Sequence, residues 1–401
     1  MTVASRIDEV FDLDALLEAD ELAWRKRARA FTRERILPVI DDDWEHAYFR
    51  AEVVPALGEA GFLGMMIEGY GCAGAGPVSY GLVAHELEAG DSGWRTLVSV
   101  QGSLVMGAIA RYGSDDQKED LLPGMAAGEI LGCFALTEPQ GGSDPGSMLT
   151  IARRDGDEWV LEGRKRWIGL ASVADVALVW ARVVGEDESA EPVEAGGRAV
   201  RGFLVPTETE GFEATPIAGK LSMRASVQCD VVLDHVRVPD AAMLPDAIGM
   251  AAPFTCLNDA RYGIVWGAMG AARACLDAAI ERSVSREVFG GPIGAKQLTQ
   301  AKLADMLVEF EKGMLLALHL GRLKARGALT PAQVSVGKLN AVREALGIVH
   351  TARTILGGDG ITAAYPVMRH AANLESVRTY EGTDEMHQLV LGRALTGLSA
   401  F

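Results

Sequence analysis

The spacing of apolar residues changes twice along this 401-residue chain, and those two changes divide it into three pieces. From Asp14 to about Gly128 they recur at three- and four-residue steps, as in Val53, Leu57 and Ala60 or Val83 and Leu87, with glycine and proline between. That spacing lines one face of a helix. Between about Cys133 and Leu244 it shortens to two: Val227, Cys229, Val231 and Leu233 alternate with Gln228, Asp230, Val232 and Asp234. There Val176 to Val184 is almost wholly apolar, and Asp155-Gly156 stands where a hairpin turns. After Pro245 the helical spacing returns in long segments, with a stripe of Leu303, Leu307, Phe310, Met314 and Leu318 and a small-residue run of Gly267, Gly270, Ala271 and Ala274 suited to close packing. The expectation is an α+β protein with a helical domain at 1–131, a β domain at 132–245 and a second helical domain at 246–401. The acidic stretch from Gly185 to Pro192 reads as an exposed loop between strands.

Net charge is −17, which speaks against nucleic acid and anionic membrane surfaces, so any phosphate site has to be a local basic patch. No apolar run approaches membrane-spanning length and the first residues lack a basic segment followed by an apolar one, so no membrane insertion is expected and a cytoplasmic location is the simplest reading. The five cysteines show no Cys-x-x-Cys spacing; they read as small buried hydrophobes in a reducing compartment, with neither a metal site nor disulfides. No Gly-x-Gly-x-x-Gly follows a predicted strand, which leaves a Rossmann-type nucleotide site unsupported.

One carboxylate stands out. Arg378-Thr379-Tyr380-Glu381-Gly382-Thr383 follows the turn Leu356-Gly357-Gly358-Asp359-Gly360 by about twenty residues. Tyr380 can wall the carboxylate of Glu381 and raise its pKa, Gly382 lets a ligand approach the backbone, and Thr383 offers a hydroxyl and an amide to a cofactor. By pattern alone Glu381 reads more often as a helix-start acid or a surface residue than as a base.

That run, with Leu136-Thr137-Glu138-Pro139-Gln140-Gly141-Gly142-Ser143-Asp144, Lys165-Arg166-Trp167-Ile168 and Arg286 before Phe289-Gly290, resembles the acyl-CoA dehydrogenase family over nearly the whole chain. The resemblance implies a β domain between two helical domains, the second a four-helix bundle. It implies FAD as cofactor and Glu381 as the base that removes an acyl α proton. FAD is then expected against Leu136, Thr137, Gly142, Ser143, Trp167, Gly169 and Thr383, with its pyrophosphate and adenine ends at Arg286, Phe289, Gln297, Gly357 and Gly358, partly from a neighbouring subunit. Without the family, Trp167 reads as core and Arg286 as a surface ion-pair residue. CoA is expected at Ser143, Asn258 and Arg261, and Tyr380 beside the acyl group. The partners implied are an acyl-CoA and an electron-transfer flavoprotein, and the assembly implied is a homotetramer.

Within the family the chain is most similar to glutaryl-CoA dehydrogenases, through Asp91-Ser92-Gly93-Trp94-Arg95, Ser99 to Met106 and Ala260-Arg261-Tyr262-Gly263-Ile264. There a residue at the Arg95 position pairs with the distal carboxylate of the substrate, and Thr96 replaces the more usual serine. Glu88 lies seven residues upstream of Arg95, about two helical turns, and is expected on the same helix face, where it can orient the guanidinium. The implied reaction is oxidation of glutaryl-CoA with decarboxylation to crotonyl-CoA. Two positions depart from the pattern. Gly169 stands where most relatives carry a threonine or serine whose hydroxyl faces the flavin, a run shared with short-chain acyl-CoA oxidases that pass electrons to oxygen; Thr354 stands where some carry a glutamine contacting FAD. Oxidase activity, or dehydrogenation of another acyl thioester, is the alternative.

Overall fold

The computed structural model describes residues 3–185 and 199–400. Most of the acidic stretch from Gly185 to Pro192 therefore lies outside the described residues. The N-terminal part is helical: α1 (Val3–Phe11), α2 (Ala19–Phe31), α3 (Ile40–His46), α4 (Val54–Glu59), α5 (Pro77–Gly90), α6 (Ser92–Val98), α7 (Gly107–Tyr112) and α8 (Asp115–Ala127). Their ends carry the expected local chemistry. Pro77 opens α5, and α8 starts on a reciprocal Ser114–Gln117 cap and stops at Gly128, whose φ of +75° suits only glycine comfortably.

Seven strands form the middle sheet: β1 (Gly132–Ala135), β2 (Ile151–Asp155), β3 (Glu158–Gly169), β4 (Val176–Val184), β5 (Val200–Pro206), β6 (Phe212–Pro216) and β7 (Gln228–Pro239). The strand β4 lies at its centre. One edge of β4 pairs in parallel with β1 at Val176–Val179 and then with β2 at Arg182–Val184, while the other pairs antiparallel with β5. A strand so enclosed reads as a continuous apolar run, which explains Val176 to Val184. The hairpin at Asp155-Gly156 forms, with Asp155 facing Glu158 and Gly156 at φ +64°. The alternation in β7 buries Cys229, Val231 and Leu233.

The C-terminal part comprises α9 (Ala251–Ser285), a short hairpin of β8 (Glu287–Val288) and β9 (Gly291–Pro292), α10 (Gln297–Ala325), α11 (Pro331–Leu356), α12 (Val367–Thr379) and α13 (Asp384–Thr396). The helix α9 is the axis of the protein, packing on α11 and α10 and also along α5 of the N-terminal part, so the two helical regions share one core. Tyr262, Ile264, Val265, Trp266, Met269 and Leu276 are fully buried there, each worth about 1.5–3 kcal/mol relative to exposure. Its middle is glycine and alanine because α5 lies close: a Cβ on Gly270 would stand 1.9 Å from the His85 carbonyl oxygen. The expectation that no apolar run reaches membrane-spanning length needs correction: among the described residues α9 alone is long and apolar enough to cross a membrane, because it is the core helix, and most of that stretch is packed inside the protein. Cys133, Cys229, Cys256 and Cys275 are free and buried; Cys72, expected inside, is only half-buried.

Candidate active site

Glu381 occupies the link between α12 and α13. Tyr380 ends α12 in extended conformation, and Thr383 begins α13 by accepting a hydrogen bond from the Met386 amide at 3.4 Å. Between them Glu381 has φ +54° and Gly382 φ +102°. For a residue with a Cβ the left-handed region costs about 1–2 kcal/mol, so Glu381 is held there by its surroundings. At Gly382 a Cβ would come within 2.9 Å of His387 Nε2. Oε2 of Glu381 is buried without a hydrogen-bond partner. Burial raises the Glu381 pKa, against the opposing pull of Arg95, Lys338 and Arg261. A carboxylate so placed is a stronger base than one in water, and no donor blocks it.

Arg95 is only 1% exposed. Nε donates to Glu88 Oε2 at 2.6 Å, Nη2 donates to the Tyr380 hydroxyl, and Nη1 is buried with no partner. The Tyr380 hydroxyl also meets Thr96 Oγ1 at 3.2 Å. Burial works to discharge Arg95, but the neighbouring Glu88, Tyr380 and Glu381 outweigh it and raise its pKa, so the cation persists. Burial raises the Glu88 pKa despite Arg95, and Ser92 Oγ donates to its other oxygen at 2.9 Å.

The Glu88–Arg95 contact exists, yet the reason given for it needs correction. The two residues do not share a helix face, because the chain breaks at Asp91, which is extended and caps α6 by accepting from the Gly93 amide at 2.7 Å. They meet across the corner between α5 and α6. Gly267 of α9 makes the room: a Cβ there would lie 2.0 Å from Glu88 Oε2.

Asn258 and Arg261, one turn apart near the start of α9, are bonded to each other, Arg261 Nη1 to Asn258 Oδ1 at 3.0 Å. Arg261 also turns inward, its Nε donating to the Glu381 carbonyl oxygen at 2.7 Å. On the β domain, β3 is irregular where it passes β7 between Lys165 and Ile168, and Trp167 sits in that irregularity with φ +62°. The distortion turns the indole outward and leaves it 52% exposed, so it is not core; Arg166 stacks over it. The Arg166 amide bonds the Thr137 carbonyl at 2.8 Å and Lys165 Nζ reaches the Leu136 carbonyl at 3.1 Å, which brings 136–137 beside 166–167. Gly169 opens onto this face, with only Val100 Cγ2, at 3.9 Å, near its missing Cβ. Gly142 and Ser143 lie exposed on the neighbouring loop.

A second group lies elsewhere. Arg286, Phe289 and Gln297 follow the far end of α9, all exposed, and the Gly357-Gly358 turn is tied to that end of the helix through Arg282 Nη2 and Asp359 Oδ2 at 2.5 Å. From Arg261 to Arg286 a helix rises about 37 Å at ~1.5 Å per residue. Within one protomer the structure does not bring this group to Glu381. Thr354, on α11 just before that turn, is exposed.

Sequence reasoning missed Lys338 and His387. Lys338 is buried on α11, its Nζ donating to the carbonyl oxygens of Tyr380 and Gly382, and Nδ1 of His387 meets Ser335 Oγ at 3.0 Å. The signal was a lysine on the apolar stripe of Val334, Ala341 and Ala345.

The N-terminal, middle and C-terminal domains of acyl-CoA dehydrogenases match residues 18–129, 133–236 and 248–396. The mitochondrial short-chain specific acyl-CoA dehydrogenase of Bos taurus is 33% identical over 389 residues, 96% of this chain and 92% of that protein. A crystal structure of glutaryl-CoA dehydrogenase from Mycobacterium smegmatis superposes with a TM-score of 0.94 at 56% identity, covering 98% of this chain and 99% of that one. A second, from the same organism and in complex with FADH2, gives 0.94 at 52% identity over the full length of both chains. With all three domains matched in order, the chain belongs to the acyl-CoA dehydrogenase family.

Proposed function

We propose that the protein oxidises glutaryl-CoA between its α and β carbons and decarboxylates the product to crotonyl-CoA. The family is flavin-dependent and FAD is its cofactor. The observation that carries the choice of substrate is Arg95: a buried cation keeps one donor, Nη1, without an acceptor, beside a carboxylate, Glu381 Oε2, that is also unpaired. An orphaned buried donor costs about 1–3 kcal/mol, and the distal carboxylate of a bound substrate relieves it through a charge-assisted bond. Two solved relatives of more than half identity carry the same name.

Trp167, exposed on the β-domain face beside Leu136, Thr137 and Gly169, suits the flat ring of the cofactor, which supplies the acceptor for the β hydride when bound. Glu381 removes the α proton and keeps it. Arg95 holds the distal carboxylate of the resulting glutaconyl thioester until its carbon–carbon bond breaks, releasing CO2 and leaving a dienolate conjugated with the thioester. Protonated Glu381 returns its proton to the γ carbon. Reducing equivalents then pass to an electron-transfer flavoprotein, and the enzyme acts as a cytoplasmic homotetramer. The open space at Gly169 favours a second reading, in which oxygen accepts the electrons from a short-chain thioester.

Bleaching of the flavin by glutaryl-CoA without oxygen, with crotonyl-CoA and CO2 as products, tests the reading. Arg95→Gln should lower turnover of glutaryl-CoA by about 30-fold or more, since breaking such a pair costs on the order of 2–5 kcal/mol, and leave butyryl-CoA within a few-fold. Equal losses on both substrates, or a wild-type preference for butyryl-CoA, would overturn it.

A further inference from the structure

We propose that Lys338 is a positioning residue for Glu381: it holds the left-handed turn that aims the carboxylate by bonding the backbone on either side of it and not the carboxylate itself. The inference rests on Glu381 being the base. Three successive carbonyl oxygens in the link accept hydrogen bonds from cations on two different helices, Lys338 buried and Arg261 half-buried. Those of Tyr380 and Gly382 accept from Lys338 Nζ on α11, and that of Glu381 accepts from Arg261 Nε on α9. The Tyr380 oxygen lies in the peptide plane before the Glu381 Cα and the Glu381 oxygen in the plane after it. Fixing both planes fixes φ and ψ, and so the direction of the Cα–Cβ bond. Lys338 further pins the next plane, at Gly382.

His387 also faces the Glu381 backbone, while the other neighbours are engaged elsewhere. His387 packs under Gly382 but bonds Ser335, Asp384 accepts from Arg343 and Arg378, and Arg95 bonds Glu88 and Tyr380. Lys338 meets backbone and not the carboxylate, whose Oε2 stays unpaired. A direct bond would have lowered its basicity. The amine still acts on the carboxylate through space, favouring its ionised form. Burial pulls the Lys338 pKa down from the ordinary lysine range, while Glu381 opposes the shift.

The test uses the FAD-loaded enzyme, anaerobic flavin reduction by glutaryl-CoA across pH, and binding of a 3-thia acyl-CoA, which has sulfur where the hydride would leave. Lys338→Met should slow reduction at least tenfold, with FAD content and thioester affinity within twofold of wild type. Its acid limb should move to higher pH, because removing a positive neighbour raises the Glu381 pKa. Lys338→Gln, which keeps amide donors without the charge, should shift the limb equally with a smaller loss of rate, and it decides the matter if the methionine variant does not fold. Wild-type rates with an unmoved limb, or a rate loss matched by FAD loss with an unmoved limb, overturn the inference. Glu381→Gln in parallel separates the two readings: it should bind the thioester and lose at least ~10²-fold in reduction. If it reduces its flavin normally, the base lies elsewhere and the role of Lys338 falls with it.

Discussion

Glu381 and Arg95 do different work with the same physical device, a buried group left one hydrogen bond short. The unpaired oxygen of Glu381 keeps its basicity, and the unpaired Nη1 of Arg95 waits for an acceptor. Gly169 is the third residue that decides chemistry, by what it lacks. Nothing but Val100 Cγ2 at 3.9 Å approaches its missing Cβ, and its φ lies outside the left-handed region, so a threonine fits there without backbone strain. Gly169→Thr should therefore slow reoxidation of the reduced enzyme by oxygen several-fold while anaerobic reduction by substrate stays similar. Stopped-flow mixing with aerated buffer measures both, and identical oxygen rates in the two proteins would remove the support for an oxidase. The motif around Glu381 and the run around Arg95 were legible in the sequence. Lys338 was not, because a lysine on an apolar stripe declares its partners only when the chain returns 42 residues later.

At the scale of elements, function depends on irregularities rather than on the regular segments that carry them. The break at Asp91 turns α6 away from α5 and lets Glu88 face Arg95; the irregular pairing of β3 pushes Trp167 outward; the left-handed link before α13 sets the direction of Glu381. None follows from periodicity, which describes ideal helices and strands and is silent where they fail. Gly267 shows how tightly these elements meet. Gly267→Ala would set a methyl 2.0 Å from Glu88 Oε2, and overpacking of this kind costs about 1–3 kcal/mol. We expect a lower melting temperature together with a fall in glutaryl-CoA turnover larger than that for butyryl-CoA, because the displaced carboxylate carries Arg95 with it. A fully retained substrate ratio would show that the pair tolerates the shift.

At the scale of the molecule, α9 joins the two helical regions and spaces Arg261, assigned to CoA, about 37 Å from Arg286, which is assigned to FAD and lies just past the far end of the helix. One protomer leaves the residues assigned to FAD in two separate groups, and the proposed homotetramer would bring the second group from another copy. Phe289, 95% exposed with φ +51°, is the most conspicuous apolar residue at the far end. A large apolar side chain held so far out in a turn suits a contact between subunits. Phe289→Ser should then lower the ratio of FAD to protein and reduce the mass of the assembly seen by light scattering. Unchanged mass and flavin content would place that contact elsewhere.

The order of helix, sheet and helix, the central apolar strand and the hairpin at Asp155-Gly156 were determined by the chain's local pattern, because apolar spacing and turn chemistry act between residues a few positions apart. Tertiary structure alone decided which groups are left unpaired. Whether a buried carboxylate or guanidinium has a partner depends on residues from α5, α6, α9 and α11 converging on one link, and the low polarity that makes such a group reactive exists only once those helices have packed.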